Sequence, residues 1–131
     1  MDLVEQIASV ARRIAEKRQA IALTGSGISV ASGIPDFRSA GGLWDRFDPM
    51  EYATIDAFRR NPSKVWEMLR EMDSLMAAAR PNSAHIALAE MERMGVLDGI
   101  ITQNIDNLHQ AAGSRNVVEF HGNARRLVCL E

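Results

Sequence analysis

Three short apolar segments separated by helical patterns constrain the fold more than any other feature of this 131-residue sequence. They span residues 20–24 (AIALT), 99–102 (GIIT) and 117–120 (VVEF). Apolar runs of this length that end at turn residues are typical of buried strands. Strands that alternate with helices indicate a parallel sheet covered by helices. The sequence therefore predicts an α/β fold, a Rossmann-like parallel sheet with flanking helices, in which all three strands are buried.

Helical signals occupy much of the remaining sequence. Asn61-Pro62 places a good N-cap residue before proline at the first helical position, which is a strong start signal. Residues 25–42 are rich in glycine and serine and show little periodicity, which predicts a long structured loop around a short helix. The predicted helices cover residues 2–17, 62–78, 82–94 and 106–112.

Composition and charge exclude several classes of protein. The net charge of -2 provides no electrostatic footprint for nucleic acid or for an anionic membrane, so we expect neither as a direct partner. No apolar run approaches the length of a membrane span, and the N-terminus lacks the order of a signal peptide. Cys129 is the only cysteine, which rules out an internal disulfide framework. A cytoplasmic location is expected.

A glycine-rich loop, Gly25-Ser26-Gly27-Ile28-Ser29, follows the first predicted strand. In open α/β sheets such a loop binds nucleotides, because backbone N–H groups at the start of the next helix face the phosphates. The spacing departs from the usual dinucleotide fingerprint, since Val30 stands where the third glycine is due. A nucleotide-binding loop and an ordinary turn both remain open on this evidence.

Polar side chains follow the second and third predicted strands. Gln103, Asn104 and Asp106 leave the carboxyl end of the second strand, where ligands of α/β sheets bind, and amides can hydrogen-bond ribose hydroxyls as donors and acceptors. Alternatively, Asn104 and Asp106 cap the short helix that follows. His121 comes directly after the third strand and precedes Gly122. Histidine can accept a proton at neutral pH, so His121 is either a general base or a structural residue.

Three motifs together resemble the sirtuins, NAD-consuming enzymes that remove acyl groups from protein lysines. They are Gly25–Ser39 (GSGISVASGIPDFRS), Thr102–Ser114 (TQNIDNLHQAAGS) and Phe120-His121-Gly122, in the order and separation typical of the family. Ser26 replaces the alanine that usually stands in the first motif. The resemblance spans essentially the whole chain. It implies that residues 1–131 form part of an NAD-binding Rossmann-like domain, with the rest of the fold and a zinc module beyond the chain end.

The resemblance also implies roles for individual residues. His121 matches the general base, and Asn104 belongs with it to the catalytic set. Asp106 matches the residue that accepts the carboxamide N–H of nicotinamide, and Phe37 matches the aromatic that shields the reacting sugar. The expected cofactor-binding residues are Gly25, Ser26, Gly27, Ser29, Ile34, Pro35, Asp36, Phe37, Arg38, Gln103, Asn104, Ile105 and Asp106.

Other interpretations of these residues stay open. Phe37 fits equally well as a core aromatic, and Asp36 with Arg38 as a surface ion pair that contributes little to stability. His85 and His109 lie in helical patterns and match no catalytic position of the family, so we assign both a structural role.

The mechanism that the resemblance implies is acyl transfer through the cofactor. Nicotinamide leaves C1′ of the ribose, and the acyl-lysine oxygen attacks that carbon. His121 then takes a proton from the ribose hydroxyls, which lets the 2′-oxygen attack the former amide carbon. The products are free lysine, nicotinamide and 2′-O-acyl-ADP-ribose. The partner implied is an acetylated or acylated lysine on a protein substrate.

Cys129 stands where sirtuins begin the first of two Cys-x-x-Cys pairs that hold a structural zinc. Its partner would fall at position 132, and one thiol alone cannot supply the four ligands of such a site. Cys129 is otherwise an inert strand residue. We interpret the chain as the front half of a deacylase, and we expect the fragment to favour self-association. The alternatives are a non-catalytic half-domain that binds NAD or ADP-ribose, and a protein ADP-ribosyltransferase.

Overall fold

The computed structural model describes residues 2–131, which divide into two compact units. One unit comprises residues 2–25 and 81–131, and the other comprises residues 26–80. The α-helices of the described chain are α1 (Leu3–Lys17), α2 (Pro49–Tyr52), α3 (Ile55–Arg60), α4 (Pro62–Ala78), α5 (Ser83–Arg93) and α6 (Leu108–Ala111). The strands are β1 (Ile21–Thr24), β2 (Gly99–Thr102) and β3 (Val117–Glu119). No helix within residues 2–131 is long and apolar enough to cross a bilayer.

The first unit is built on a parallel three-stranded sheet in the order β1-β2-β3. In its register Thr24 lies opposite Thr102, and Thr102 lies opposite Glu119. Helices α1, α5 and α6 belong to the same unit, so strands and helices alternate along the chain as predicted. The prediction of a parallel α/β sheet is confirmed.

Only the central strand of this sheet is buried. Ile100 in β2 is 1% exposed, whereas Ile21 and Leu23 in β1 are 64% and 71% exposed. Val118 in β3 is also exposed. The prediction that all three strands are buried is therefore wrong for β1 and β3. Each of these two strands lies at an edge of the sheet, where it has a strand neighbour on one side only.

The second unit begins with a 3-10 helix, Ser26–Ser32, within the glycine-rich segment where a short helix is predicted. A loop leads to a further 3-10 helix, Leu43–Asp45, and then to α2, α3 and α4. Helix α4 begins at Pro62, and the Asn61 side chain accepts a hydrogen bond from the Lys64 N–H, as the start signal predicts. The buried apolar residues of this unit are Leu43, Ala57, Val65, Met68 and Ala79.

Candidate functional site

The carboxyl ends of the three strands meet at one edge of the sheet, because all three run parallel. Gly25 follows β1, Gln103 follows β2, and Phe120 follows β3. Ladder hydrogen bonds continue past the strand ends: the Gln103 N–H donates to the Thr24 carbonyl at 3.0 Å, and the Phe120 N–H to the Thr102 carbonyl at 2.9 Å. In open α/β sheets this edge is where ligands bind.

Asn104 is fixed at this edge by two hydrogen bonds. Its backbone N–H donates to Thr102 Oγ1 at 3.0 Å, and its side-chain Nδ2 donates to the Gly25 carbonyl at 3.0 Å. Asn104 therefore links the loop after β2 to the loop after β1. Neither of these two bonds is made with α6, so they give Asn104 a role other than capping.

Asp106 does contribute to the start of α6. Its Oδ1 accepts the Leu108 N–H at 2.9 Å, and the residue is only 7% exposed. The capping alternative is thus confirmed for Asp106. Gln103 is exposed and Ile105 is half-buried in the same loop.

His121 lies in a tight turn directly after β3. The Gly122 N–H donates to the Glu119 carbonyl at 3.1 Å and closes this turn, with Gly122 at a φ of +84° that favours glycine. The imidazole is exposed and stands edge-on to the Phe120 ring, with centroids 5.1 Å apart. A solvent-accessible imidazole at the ligand edge of the sheet can accept a proton from a bound substrate.

The segment after this turn is bonded to the loop that carries Asn104 and Asp106. Asn123 Nδ2 donates to Asn107 Oδ1 at 3.0 Å and to Glu119 Oε1 at 3.1 Å. The Ala124 N–H donates to the Ile105 carbonyl at 3.1 Å. These contacts hold the His121 turn and the loop over residues 103–107 side by side at one edge.

Two buried histidines lie beneath this edge. His85 and His109 are 0% and 1% exposed, and their rings meet edge-to-face with centroids 5.0 Å apart. His85 Nδ1 accepts the Asn82 N–H at the start of α5. Both histidines are buried, which agrees with the structural role predicted for them. The sequence did not reveal that His109 also contacts Thr24, at the end of β1, with 2.8 Å between Nε2 and Oγ1.

Burial lowers the pKa of both histidines below the ordinary value of 6.5. For His109 the neighbouring His85 lowers the pKa further, and Asp106 opposes the shift at both residues. The unfolded chain therefore binds protons on these imidazoles at a higher pH than the folded chain does. The contribution of these two imidazoles to the free energy of unfolding should be constant above about pH 7 and should fall as the pH drops below about 6.5.

This pH dependence can be measured by denaturant unfolding at pH 7.5 and pH 5.5. The double variant His85→Gln, His109→Gln lacks both groups and should lose less stability between these pH values than the wild-type protein. An equal loss in the two proteins would contradict the assignment of the pH dependence to the buried pair.

In the second unit, the predicted cofactor-binding residues from Ser26 to Arg38 lie on the first 3-10 helix and the loop after it. Ser29 is 1% exposed, and its carbonyl accepts the Ile34 N–H at 3.3 Å. Gly27 is exposed, and a Cβ added there would meet no atom within 4 Å, so its backbone is open to close approach. The remaining residues of this set in the loop are Pro35, Asp36, Phe37 and Arg38.

Asp36 organises this loop. Its Oδ1 accepts the Ser39 N–H at 2.9 Å, and its Oδ2 accepts the Ser39 hydroxyl at 2.6 Å. These bonds lower the pKa of the carboxyl. The carboxylate is thus bonded to Ser39, and the ion pair with Arg38 is wrong. The end of the loop requires glycine at position 42, because a Cβ on Gly42 would lie only 2.5 Å from the Asp36 carbonyl oxygen.

Phe37 pairs with Trp44 in this unit. The two rings have centroids 5.2 Å apart, and the Trp44 N–H donates to the Phe37 carbonyl at 3.0 Å. Phe37 is half-buried, so the ring is held by Trp44 and still partly accessible. Cys129, the predicted zinc ligand, is an exposed free thiol in the irregular segment that follows β3.

Comparison with known proteins assigns most of the chain to the family that its three sequence motifs resemble. The model of the Sir2 family matches residues 25–131. An NAD-dependent protein deacylase of Thermococcus sibiricus is 52% identical over 118 residues, which are 90% of this chain and 46% of that protein. An NAD-dependent protein deacetylase of Sulfurisphaera tokodaii is 57% identical over 111 residues, 85% of this chain and 44% of that protein. The chain thus spans about half the length of the curated relatives it matches.

Solved structures agree with this relationship. A Sir2 homologue mutant bound to 2′-O-acetyl-ADP-ribose superposes with a TM-score of 0.86 at 46% identity, over 99% of this chain and 50% of that one. A Sir2 homologue bound to NAD gives a TM-score of 0.81 at 48% identity, over 88% and 45%. A Sir2 mutant bound to a deacetylated p53 peptide and 3′-O-acetyl-ADP-ribose gives 0.77 at 43% identity, over 82% and 43%. Motifs, fold and comparisons agree, and the chain belongs to the Sir2 family.

Proposed function

We propose that the complete protein is an NAD-dependent protein-lysine deacylase to which this chain contributes NAD-binding residues and the general base. The observation that carries the proposal is the shared edge of the sheet, where Gly25, Asn104, Asp106 and His121 are held by the contacts described above. Relatives named as NAD-dependent deacylases and deacetylases support it.

The residues present suit a dinucleotide. A Cβ added at Gly25 would meet only Gln103 Oε1, at 3.9 Å, so a ligand can approach the Gly25 backbone closely. Asn104 and Gln103 carry amides that can hydrogen-bond ribose hydroxyls. Bound NAD would supply an electrophilic ribose carbon with nicotinamide as its leaving group. Asn104 and Asp106 would bind and orient the ribose and the carboxamide.

His121 would act as the general base of this reaction. Its imidazole is exposed at the carboxyl edge, and the turn closed by Gly122 fixes its backbone next to the loop that carries Asn104. In the proposed reaction it accepts a proton from a ribose hydroxyl, so that the hydroxyl oxygen can attack the acyl carbon. Related structures that hold acetylated ADP-ribose and a deacetylated peptide favour acyl transfer over transfer of ADP-ribose to protein.

The proposed function is tested with an acetyl-lysine peptide and the complete protein. Nicotinamide release should require the acetylated peptide and should match the free lysine formed, one for one. The unacetylated peptide is the control and should release almost no nicotinamide. NAD binding without any turnover would instead support the non-catalytic half-domain.

A structural zinc in the complete protein is a further part of the proposal, with Cys129 as one of its ligands. The metal-binding side chains of this sequence are too few to form such a site. No group of three or more His, Cys, Asp or Glu side chains within residues 2–131 is arranged to hold a metal ion. A structural zinc requires four ligands, so the others must come from outside this sequence.

These 131 residues by themselves are therefore expected to bind no stoichiometric zinc and to show no measurable deacetylase activity. They also expose apolar surface that favours self-association: Leu3, Ile7 and Val10 on α1 are 69%, 59% and 56% exposed, and Ile21 and Leu23 line an open sheet edge. Metal analysis, an NAD-dependent deacetylation assay and light scattering on the purified chain test this. One zinc per chain, or turnover clearly above background, would refute it.

A further inference from the structure

A chain of hydrogen bonds connects the buried His109 to Asn104. His109 Nε2 lies 2.8 Å from Thr24 Oγ1. The Thr24 hydroxyl donates to Thr102 Oγ1 at 2.9 Å, and Thr102 Oγ1 also accepts the Asn104 N–H at 3.0 Å. Thr24 and Thr102 are the last residues of β1 and β2 and lie opposite each other in the sheet register. This series of hydrogen bonds therefore runs from α6 to the loop that carries Asn104.

One tautomer of His109 suits these bonds better than the other. If Nε2 carries the proton, it donates to Thr24 Oγ1, and the Thr24 hydroxyl can donate to Thr102 Oγ1. The alternative tautomer would place the proton on Nδ1, a buried atom that has no hydrogen-bond partner among residues 2–131. A buried donor without an acceptor is costly, and this favours the same assignment.

We propose that His109 is a positioning residue for cofactor binding, which acts through Thr24 and Thr102 to hold Asn104 in place. The inference rests on the proposed function, because Asn104 is assigned there to the NAD ribose. A neutral His109 Nε2–H orients the Thr24 hydroxyl toward Thr102. Thr102 Oγ1 then presents a lone pair to the Asn104 N–H. Burial favours the neutral ring that this arrangement needs, since it lowers the pKa of His109.

Substitutions of His109 in the complete protein separate this role from simple core packing. His109→Leu removes the donor, and the KM for NAD should rise about three- to tenfold, the worth of one neutral hydrogen bond, with the KM for the peptide unchanged. His109→Gln can place an amide N–H near the position of Nε2 and should restore the KM for NAD to near the wild-type value. Ser114→Ala is the control, because its buried Oγ has no partner among the described residues.

The Thr24→Val variant tests the proposed route. If His109 acts through Thr24, the double variant Thr24→Val, His109→Leu should raise the KM for NAD no more than Thr24→Val alone. Additive effects of the two substitutions would overturn the proposal. Equal NAD affinity in the Leu and Gln variants, with both destabilised toward urea, would also overturn it and leave His109 as a packing residue.

One readout does not depend on the activity. In ¹⁵N-histidine-labelled protein at pH 7.5, the His109 ring, assigned by its loss in His109→Gln, should carry its proton on Nε2. A proton on Nδ1 would overturn the proposal even if the enzyme is active. If no deacylation is found, the proposed function is wrong, but the proposal for His109 can still be tested. The same variants are then compared for NAD binding by calorimetry, and a threefold to tenfold loss of NAD affinity is still expected for His109→Leu.

Discussion

Replacing His121 with alanine is expected to abolish lysine deacylation by the complete enzyme while leaving NAD binding largely intact. His121 lies at the carboxyl edge of the sheet with an exposed imidazole. In the proposed reaction this imidazole accepts the proton of a ribose hydroxyl. Removal of a general base typically lowers the rate by about 10²–10⁴-fold. NAD binding should persist because the base acts after the cofactor is seated, and the hydrogen bonds described above for Asn104 and Asp106 are made with Thr102, Gly25 and Leu108.

The measurement is kcat on an acetyl-lysine peptide together with the Kd for NAD from calorimetry. Val118→Ala is a suitable control, since Val118 is exposed on β3 three residues before His121 and has no proposed role. Near-normal turnover of His121→Ala would remove His121 from the catalytic set. Loss of NAD binding along with turnover would show that the residue supports the fold of the site and would leave its role as a base without support.

A preference for neutral acyl groups is the second large effect expected. Sirtuins that favour acidic acyl groups such as succinyl carry a Tyr-x-x-Arg pair after a Val-Trp pair, and Val65-Trp66 aligns this chain with them. The corresponding residues here are Leu69 and Met72, which lie three residues apart on α4 and are both half-buried. Neither side chain can pair with a carboxylate. Burying that unpaired charge would cost several kcal/mol, so kcat/KM should favour acetyl over succinyl by at least about 100-fold.

The comparison uses acetyl, butyryl and succinyl versions of one peptide. Butyryl matches succinyl in chain length but lacks the charge, so it separates a limit on size from a penalty on charge. Acetyl and butyryl should both react faster than succinyl. A faster succinyl reaction would prove the assignment of Leu69 and Met72 wrong.

The sequence predicted those parts of the fold that local signals determine. Asn61-Pro62 correctly placed the start of α4, and the apolar spacing along residues 2–17 correctly predicted α1. Helices α2 and α3 were missed because they are short and lack an apolar period. Their start signals were nevertheless present: the Asp48 side chain accepts the Met50 N–H, and Thr54 accepts the Ala57 N–H.

Properties that depend on neighbouring strands could not be predicted from local patterns. The apolar run of β1 resembles that of β2, but only the position in the sheet decides that Leu23 is exposed and Ile100 is buried. Local patterns were also insufficient to predict the contacts of the site. Asn104 and Asp106 were equivalent candidates for a helix cap, and the structure separates them because Asn104 reaches Gly25 across 79 residues of sequence. The contact between Thr24 and His109 depends on the same long-range packing.

We propose that the acyl group leaves lysine by transfer to ADP-ribose, and the identity of the acylated product is the decisive observation. The complete enzyme is incubated with NAD and an acetyl-lysine peptide, and the products are separated and weighed by mass spectrometry. Acetyl-ADP-ribose, nicotinamide and free lysine are expected in equal amounts. Free acetate with unchanged NAD, or a peptide that carries ADP-ribose, would contradict it.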